Sequence, residues 1–140
     1  MSKGRYLAID YGDKRIGLAI SDVDKQIAFP RENMAYEKPA DAIAKIAEFC
    51  AREGIVKVIL GLPVQMDGTV GERFVKTHAF GGKLKEAIDP IPVEFLDERL
   101  TSKRASQLLQ EQGVRAKHHK GVKDMVSAQV ILDAYLRSIQ

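Results

Sequence analysis

The chain has a single cysteine, Cys50, among 140 residues. It cannot close an internal disulfide, so the fold does not depend on oxidation and suits a reducing compartment. Long apolar runs are also missing. Stretches such as Val58-Ile59-Leu60 fall far below the ~18 residues that span a bilayer. Met1 to Tyr6 leads straight into strand-like sequence, without the apolar core of a secretory signal. These absences exclude a membrane partner at this stage and lead to the expectation of a cytoplasmic protein. No serine, cysteine or histidine stands in a nucleophile motif, and neither a Walker-type glycine loop nor zinc spacing occurs. His118 and His119 are adjacent rather than one helical turn apart and sit among lysines, which reads as a solvated basic loop.

What remains is ordinary globular composition, 45% hydrophobic and 29% charged, which excludes a disordered or fibrous chain. One domain over residues 1–140 is expected, long enough to bury roughly 68–70% of its exposable surface. The charge is unevenly placed. Arg99, Lys103, Arg104, Arg115, Lys117, Lys120 and Lys123 face only one acid, Glu111, within the same stretch. That segment carries +6, leaving −3 for the rest of a chain whose total is +3. Such segregation is either a solvated helix face and loop or the footprint of a polyanion-binding surface.

Two short β-type runs, Tyr6–Asp10 and Ile16–Ser21, flank a connection of hairpin length. A poorer third strand is expected from Gln26 to Phe29, stopped by Pro30. Pro39 opens a helical pattern with Ile43, Ile46, Ala47 and Cys50 on one face and Gly54 as its stop. Cys50 therefore reads as a core residue. Val56–Leu60 predicts a buried strand, followed by a loop carrying Asp67-Gly68. A helix over about 72–87 follows from Phe74, Val75, His78 and Leu84, with Gly81-Gly82 working against it. Pro92–Asp97 predicts the next strand. A helix from Thr101 would turn Ala105, Leu108, Leu109 and Gln112 inward and end at Gly113. A basic loop, Val114–Lys123, then leads to a last helix from near Lys123 that buries Ala128, Ile131, Leu132 and Tyr135. A hairpin followed by alternating strands and helices implies an α/β fold with a mixed sheet, antiparallel at its start.

Three acidic positions fall where the pattern gives them little structural reason to be. Asp10 ends the first apolar strand, Asp97-Glu98 ends Val93–Leu96, and Asp124 stands four and eight residues before Ala128 and Leu132 on an inward stripe. Each alone has an ordinary reading, as a turn residue, a strand-end acid, or a favourable charge at a helix N-terminus. Together they can converge at one sheet edge. Two carboxylates about 4 Å apart repel by ~4 kcal/mol at an effective dielectric of 20, so a cluster needs a proton or a cation. Hard divalent cations, Mg²⁺ or Mn²⁺, suit oxygen ligands. Two such ions would activate water and stabilise the leaving oxygen of a phosphodiester. Alternation along the strand does not choose between Asp97 and Glu98 when both sheet faces are covered.

Ala8–Gly17, Val58–Thr69, Leu96–Thr101 and Lys123–Ala128 resemble, in order, the four signatures of the YqgF family, the Holliday-junction-resolvase-like pre-16S rRNA nucleases. The resemblance runs from about Tyr6 to Tyr135. It implies a ribonuclease H-like fold, a five-stranded mixed sheet flanked by helices, with a metal-dependent acidic site. It also implies a bacterial cytoplasmic nuclease that matures the 5′ end of 16S rRNA within the small-subunit precursor, or acts on branched DNA. Carried over by position, the acidic site falls on Asp10, Glu98 and Asp124. Asp10 would bridge two ions, Glu98 and Asp124 would each complete one, and the seven basic residues from Arg99 to Lys123 would hold the nucleic-acid backbone. Met125 departs from the small polar residue that often follows the last acid.

Two other readings compete. The Asp10-Tyr11-Gly12 hairpin is similar to the phosphate-binding hairpin of actin-like ATPases, which close two such domains around ATP. A non-catalytic nucleic-acid or ribosome-binding module would show the same charge segregation and have no use for a divalent-ion site.

Overall fold

The computed structural model describes residues 4–65, 67–100 and 120–139, without the side chains of residues 100 and 120–124. Leu7, Ala8 and Ile9 are all fully buried, as in a strand covered on both faces. They belong to β1 (Arg5–Tyr11), at the centre of a five-stranded sheet of order β3-β2-β1-β4-β5. The chain turns through Gly12-Asp13-Lys14 into β2 (Arg15–Ser21), antiparallel to β1 with Asp10 opposite Gly17. One edge is β3 (Ala28–Ala35), antiparallel to β2. A helix, α1 (Pro39–Glu53), ends at Gly54 and leads to β4 (Ile55–Leu62), parallel to β1. A second helix, α2 (Glu72–Ile88), crosses to β5 (Val93–Asp97), parallel to β4 and forming the other edge. A short 3₁₀ turn, Glu98–Leu100, follows β5, and the last helix is α3 (Lys120–Ser138). No described helix is long and apolar enough to cross a membrane.

Strand alternation sorts the core into two layers. Leu7, Ile9, Ile16, Leu18, Val58 and Leu60 pack with Ile46 and Phe49 of α1 and Phe80 and Leu84 of α2. On the opposite face Ala8, Ala19, Ala28 and Ile59 pack against Ala128, Ile131, Leu132 and Leu136 of α3. Cys50 is buried in the first layer, and burial pushes its thiol up to about 11. It is a core residue with no thiolate to offer.

Three sequence expectations change. β3 continues through Pro30 to Ala35 instead of stopping there. Pro30 sits on an edge strand beside a register shift between Leu18 and Ala19, where a missing N–H costs no ladder bond. The buried side of α2 is Thr77, Phe80, Gly81, Leu84 and Ile88, so Val75 and His78 face outward. His78 stacks there between Phe74, at 6.0 Å, and Phe95, at 5.1 Å. Finally, α3 begins at Lys120, so the end of the expected basic loop is helical. The helix expected from Thr101 and the loop as far as residue 119 lie outside the described residues.

The two central glycines of α2 differ. A Cβ on Gly81 would lie 2.6 Å from the Phe95 ring and 3.0 Å from Leu60, so the helix touches the sheet through that bare backbone. A Cβ on Gly82 would meet nothing within 4 Å. We expect Gly82→Ala to stabilise the protein by about 1 kcal/mol through helix propensity. Gly81→Ala should destabilise it by about 1–3 kcal/mol through overpacking. Urea-denaturation midpoints of the two variants check the pair, and equal shifts would show that α2 does not rest on Phe95.

Candidate active site

The face of the sheet under α3 carries the acids. Ala8 packs toward α3, and Asp10 follows it by two residues on β1, so the two share a face. Leu96 of β5 also packs into the α3 layer. Glu98 lies two residues further on, just past the strand end. Asp97 belongs with Phe95, which meets α2 on the other side. The structure thus separates two neighbouring acids between which strand alternation alone did not choose, with Glu98, the one the resemblance implies, on the face of Asp10.

The Glu98 carboxyl is hydrogen-bonded to that of Asp10. Glu98 has its pKa pushed up to about 8, first by burial and then by the charge and hydrogen bond of Asp10, with Arg73 acting in the opposite direction. A carboxyl pair in such contact shares a proton or takes up a cation. Asp97 has the opposite fate. Its carboxylate accepts the Arg99 guanidinium at 2.6 and 2.9 Å and the Arg99 backbone N–H at 2.9 Å. The side-chain hydrogen bonds from Arg99 hold it below the usual carboxylate range.

Gly61 of β4 makes room for Glu98. A Cβ there would lie 2.7 Å from Glu98 Oε1 and would also overlap the end of the Ile131 side chain from α3. Glu98 and α3 therefore meet over the same stretch of bare backbone. Asp124 stands in α3, four and seven residues before Ala128 and Ile131. Its side chain lies outside the described residues, and among those described no group of three acids, histidines or cysteines could hold a metal. The donor chemistry of the pair itself is that of a hard-cation site: only oxygen, and one proton held where two negative charges would stand.

Of the seven basic residues from Arg99 to Lys123, only Arg99 has a described side chain. Arg99 is spent on Asp97, with Gly68 of the Asp67 turn 3.7 Å from Nη1 as measured to an added Cβ. That turn is fixed by Asp67 Oδ1, which accepts the Thr69 N–H at 2.9 Å and the Thr69 hydroxyl at 2.6 Å. Lys103, Arg104, Arg115 and Lys117 lie outside the described residues. Lys120 and Lys123 are in the first turn of α3, their side chains likewise outside. Sequence reasoning missed two residues beside the acids. Gly61 had a signal, since a glycine closing a buried strand often marks close approach. Arg73 had none, because only the fold brings α2 to the end of β1.

The carboxyl pair makes stability depend on pH. Free of divalent cations, the folded chain keeps the Glu98 proton to about pH 8, whereas an unfolded glutamate loses it near ~4.3. The native state binds more protons throughout that window, so stability falls as pH rises across it and levels off above. Glu98→Gln should flatten that fall. Urea midpoints across the window, in chelator, check this; an unchanged slope in the variant would place the titrating group elsewhere.

Comparisons with known proteins agree with this architecture. A family model described as RuvX, Holliday junction resolvase, matches residues 4–138. A protein of Chloroflexus aggregans named "Putative pre-16S rRNA nuclease" is 40% identical over 97% of this chain and 95% of its own. A protein of the same name from Acetivibrio thermocellus is 40% identical over 96% of both chains. Among solved structures, Thermus thermophilus RuvC in complex with a Holliday junction substrate superposes with a TM-score of 0.62 at 13% identity, covering 98% of this chain and 97% of its own. The Fowlpox virus resolvase, also with junction DNA, gives 0.60 at 13% identity, over 96% and 98%. At such identity these two show the fold alone, which is ribonuclease H-like. The sequence relatives show more: the chain belongs to the RuvX family, the YqgF-like Holliday junction resolvases.

Proposed function

We propose that this chain is a divalent-metal-dependent nuclease that hydrolyses a phosphodiester bond at the 5′ end of pre-16S rRNA in the cytoplasm. The observation that carries the reading is the Asp10–Glu98 pair, two carboxyls in hydrogen-bond contact on the α3 face of the sheet. The names of the relatives supply the RNA substrate. Asp10, Glu98 and Asp124 would hold Mg²⁺ or Mn²⁺, two ions in the fullest version. When bound, such ions lower the pKa of water and stabilise a leaving alkoxide oxygen.

The chain's own residues do the rest. Asp10 and Glu98 give up their shared proton on loading, so affinity for the cation rises with pH. Gly61 leaves Glu98 the space to face Asp10. Asp97 stays outside the site, occupied by Arg99. The basic segment from Lys103 to Lys123 would hold the nucleic-acid backbone by charge. The family description favours a second substrate, a branched DNA junction.

The test is cleavage of labelled pre-16S rRNA, an unrelated single strand and a four-way DNA junction, each with Mn²⁺, Mg²⁺ or chelator. We expect metal-dependent cleavage of the rRNA precursor, abolished by Asp10→Asn and Glu98→Gln and largely kept by Asp97→Asn. Preference for the junction would replace the substrate, and cleavage that survives Asp10→Asn would end the reading. Gly61→Ala should lower turnover by about 10²-fold through misplacement of Glu98, read from kcat on protein whose circular dichroism is native. Full activity in that variant would remove Gly61 from the argument.

A further inference from the structure

Arg73 is the second residue of α2, and its side chain reaches across to the end of β1. Its Nη2 donates to the Tyr11 carbonyl oxygen at 2.7 Å, one residue beyond Asp10. Its Nη1 pairs with Asp13 Oδ2 at 3.3 Å, in a contact where the two side chains are 49% and 64% exposed. The first bond is short and ties the guanidinium to the strand that carries the acid. The second is long and open to water, and exposed pairs of this kind are worth about 0–1 kcal/mol. An arginine has five N–H donors in a fixed fork, so this one has donors beyond those two contacts.

From this placement we propose that Arg73 is a substrate-contact residue, holding a non-bridging phosphate oxygen of the nucleic-acid backbone next to the Asp10–Glu98 pair. The proposal rests on the nuclease reading and deepens it, assigning a backbone contact on the α2 side of the site. An anion already occupies the position, since the Asp13 carboxylate stands where the phosphate oxygen would dock. A backbone phosphodiester spreads one negative charge over two non-bridging oxygens, and it can accept two N–H bonds from the fork where Asp13 takes one. The Tyr11 carbonyl then acts as the fixed stop that sets the depth of the guanidinium. The net negative charge of the carboxyl pair repels an approaching phosphate, and a cation fixed beside it offsets part of that repulsion. The basic stretch that the sequence singles out begins at Arg99, in the 3₁₀ turn that follows β5. Arg73 would give the site a cation from a different element.

The competing explanation is purely structural: Arg73 ties α2 to the hairpin and nothing more. Binding without turnover separates the two. Wild type, Arg73→Gln, Arg73→Lys and a control, Arg52→Ala, are titrated with pre-16S rRNA and with a four-way junction in chelator over a range of salt. Arg52 sits at the other end of the sheet, in the last turn of α1, and removes the same charge. We expect Arg73→Gln to weaken binding by about 10–100-fold, as for a charge-assisted hydrogen bond. The slope of log K against log salt should shrink by about 0.7–0.9, one phosphate contact. Arg73→Lys should recover most of the slope, and Arg52→Ala should leave it unchanged. In turnover, Arg73→Gln should raise KM more than it lowers kcat. Arg73→Gln with the wild-type slope and affinity overturns the proposal, even where its melting temperature falls. If Arg73→Gln does not fold, Arg73→Lys decides: loss of the contact's share of affinity with the slope retained supports the fork, and wild-type affinity overturns it. Absence of cleavage by the wild type would refute the nuclease reading while leaving these binding outcomes readable.

Discussion

Close approach of α3 to the sheet is the constraint on which the rest depends. The layer beneath it is built from Ala8, Ala19, Ala28 and Ala128, with Gly61 contributing bare backbone and Ile131 seated against it. The opposite layer is filled by larger side chains, Leu7, Ile9, Leu60, Phe49 and Phe80. A helix separated from a sheet by methyl groups lies lower than one separated by leucines and phenylalanines. The low helix brings its N-terminal half to the strand ends, where β1 and β5 deliver Asp10 and Glu98. The face that carries the carboxyl pair is therefore set by side-chain volume before any charge is considered.

Charge then follows from parity. Phe95 and Asp97 point one way from β5, Leu96 and Glu98 the other. Asp97 finds Arg99 and remains ionised, while Glu98 is turned into a buried site against a second carboxyl. Two adjacent acids thus acquire opposite protonation, the divergence expected when environments separate a pair. The carboxyl pair is a cost to the fold rather than a support, because burying Glu98 beside Asp10 disfavours its charged form. Such a cost is common at functional sites and has no role in a purely structural edge.

How far this was legible varied with the physics involved. Both hairpin strands, α1, β4 and β5 follow from apolar periodicity and from punctuation by Pro39 and Gly54, and they appear within a few residues of expectation. Pro30 misled because a proline stops a central strand, and only the sheet order shows that β3 is an edge. The inward face of α2 misled because Phe74 and His78 are apolar enough to read as core, yet His78 stacks between Phe74 and Phe95 on the outside. The resemblance pointed to Glu98 rather than Asp97, but strand alternation alone could not choose between them until helices could be assigned to faces. Arg73 was illegible altogether, since its partners Tyr11 and Asp13 come from another element.

Arg99 shows how a charge count can misstate a surface. By sequence it opens the basic segment, but its guanidinium is bound to Asp97 and also faces the field of Asp67. Its charge is compensated locally and contributes little attraction at the range over which a polyanion is drawn in. Arg99, just past β5, instead neutralises Asp97, with Gly68 of the Asp67 turn beside its guanidinium. The +6 count therefore includes, at its first residue, a charge already paired within the fold.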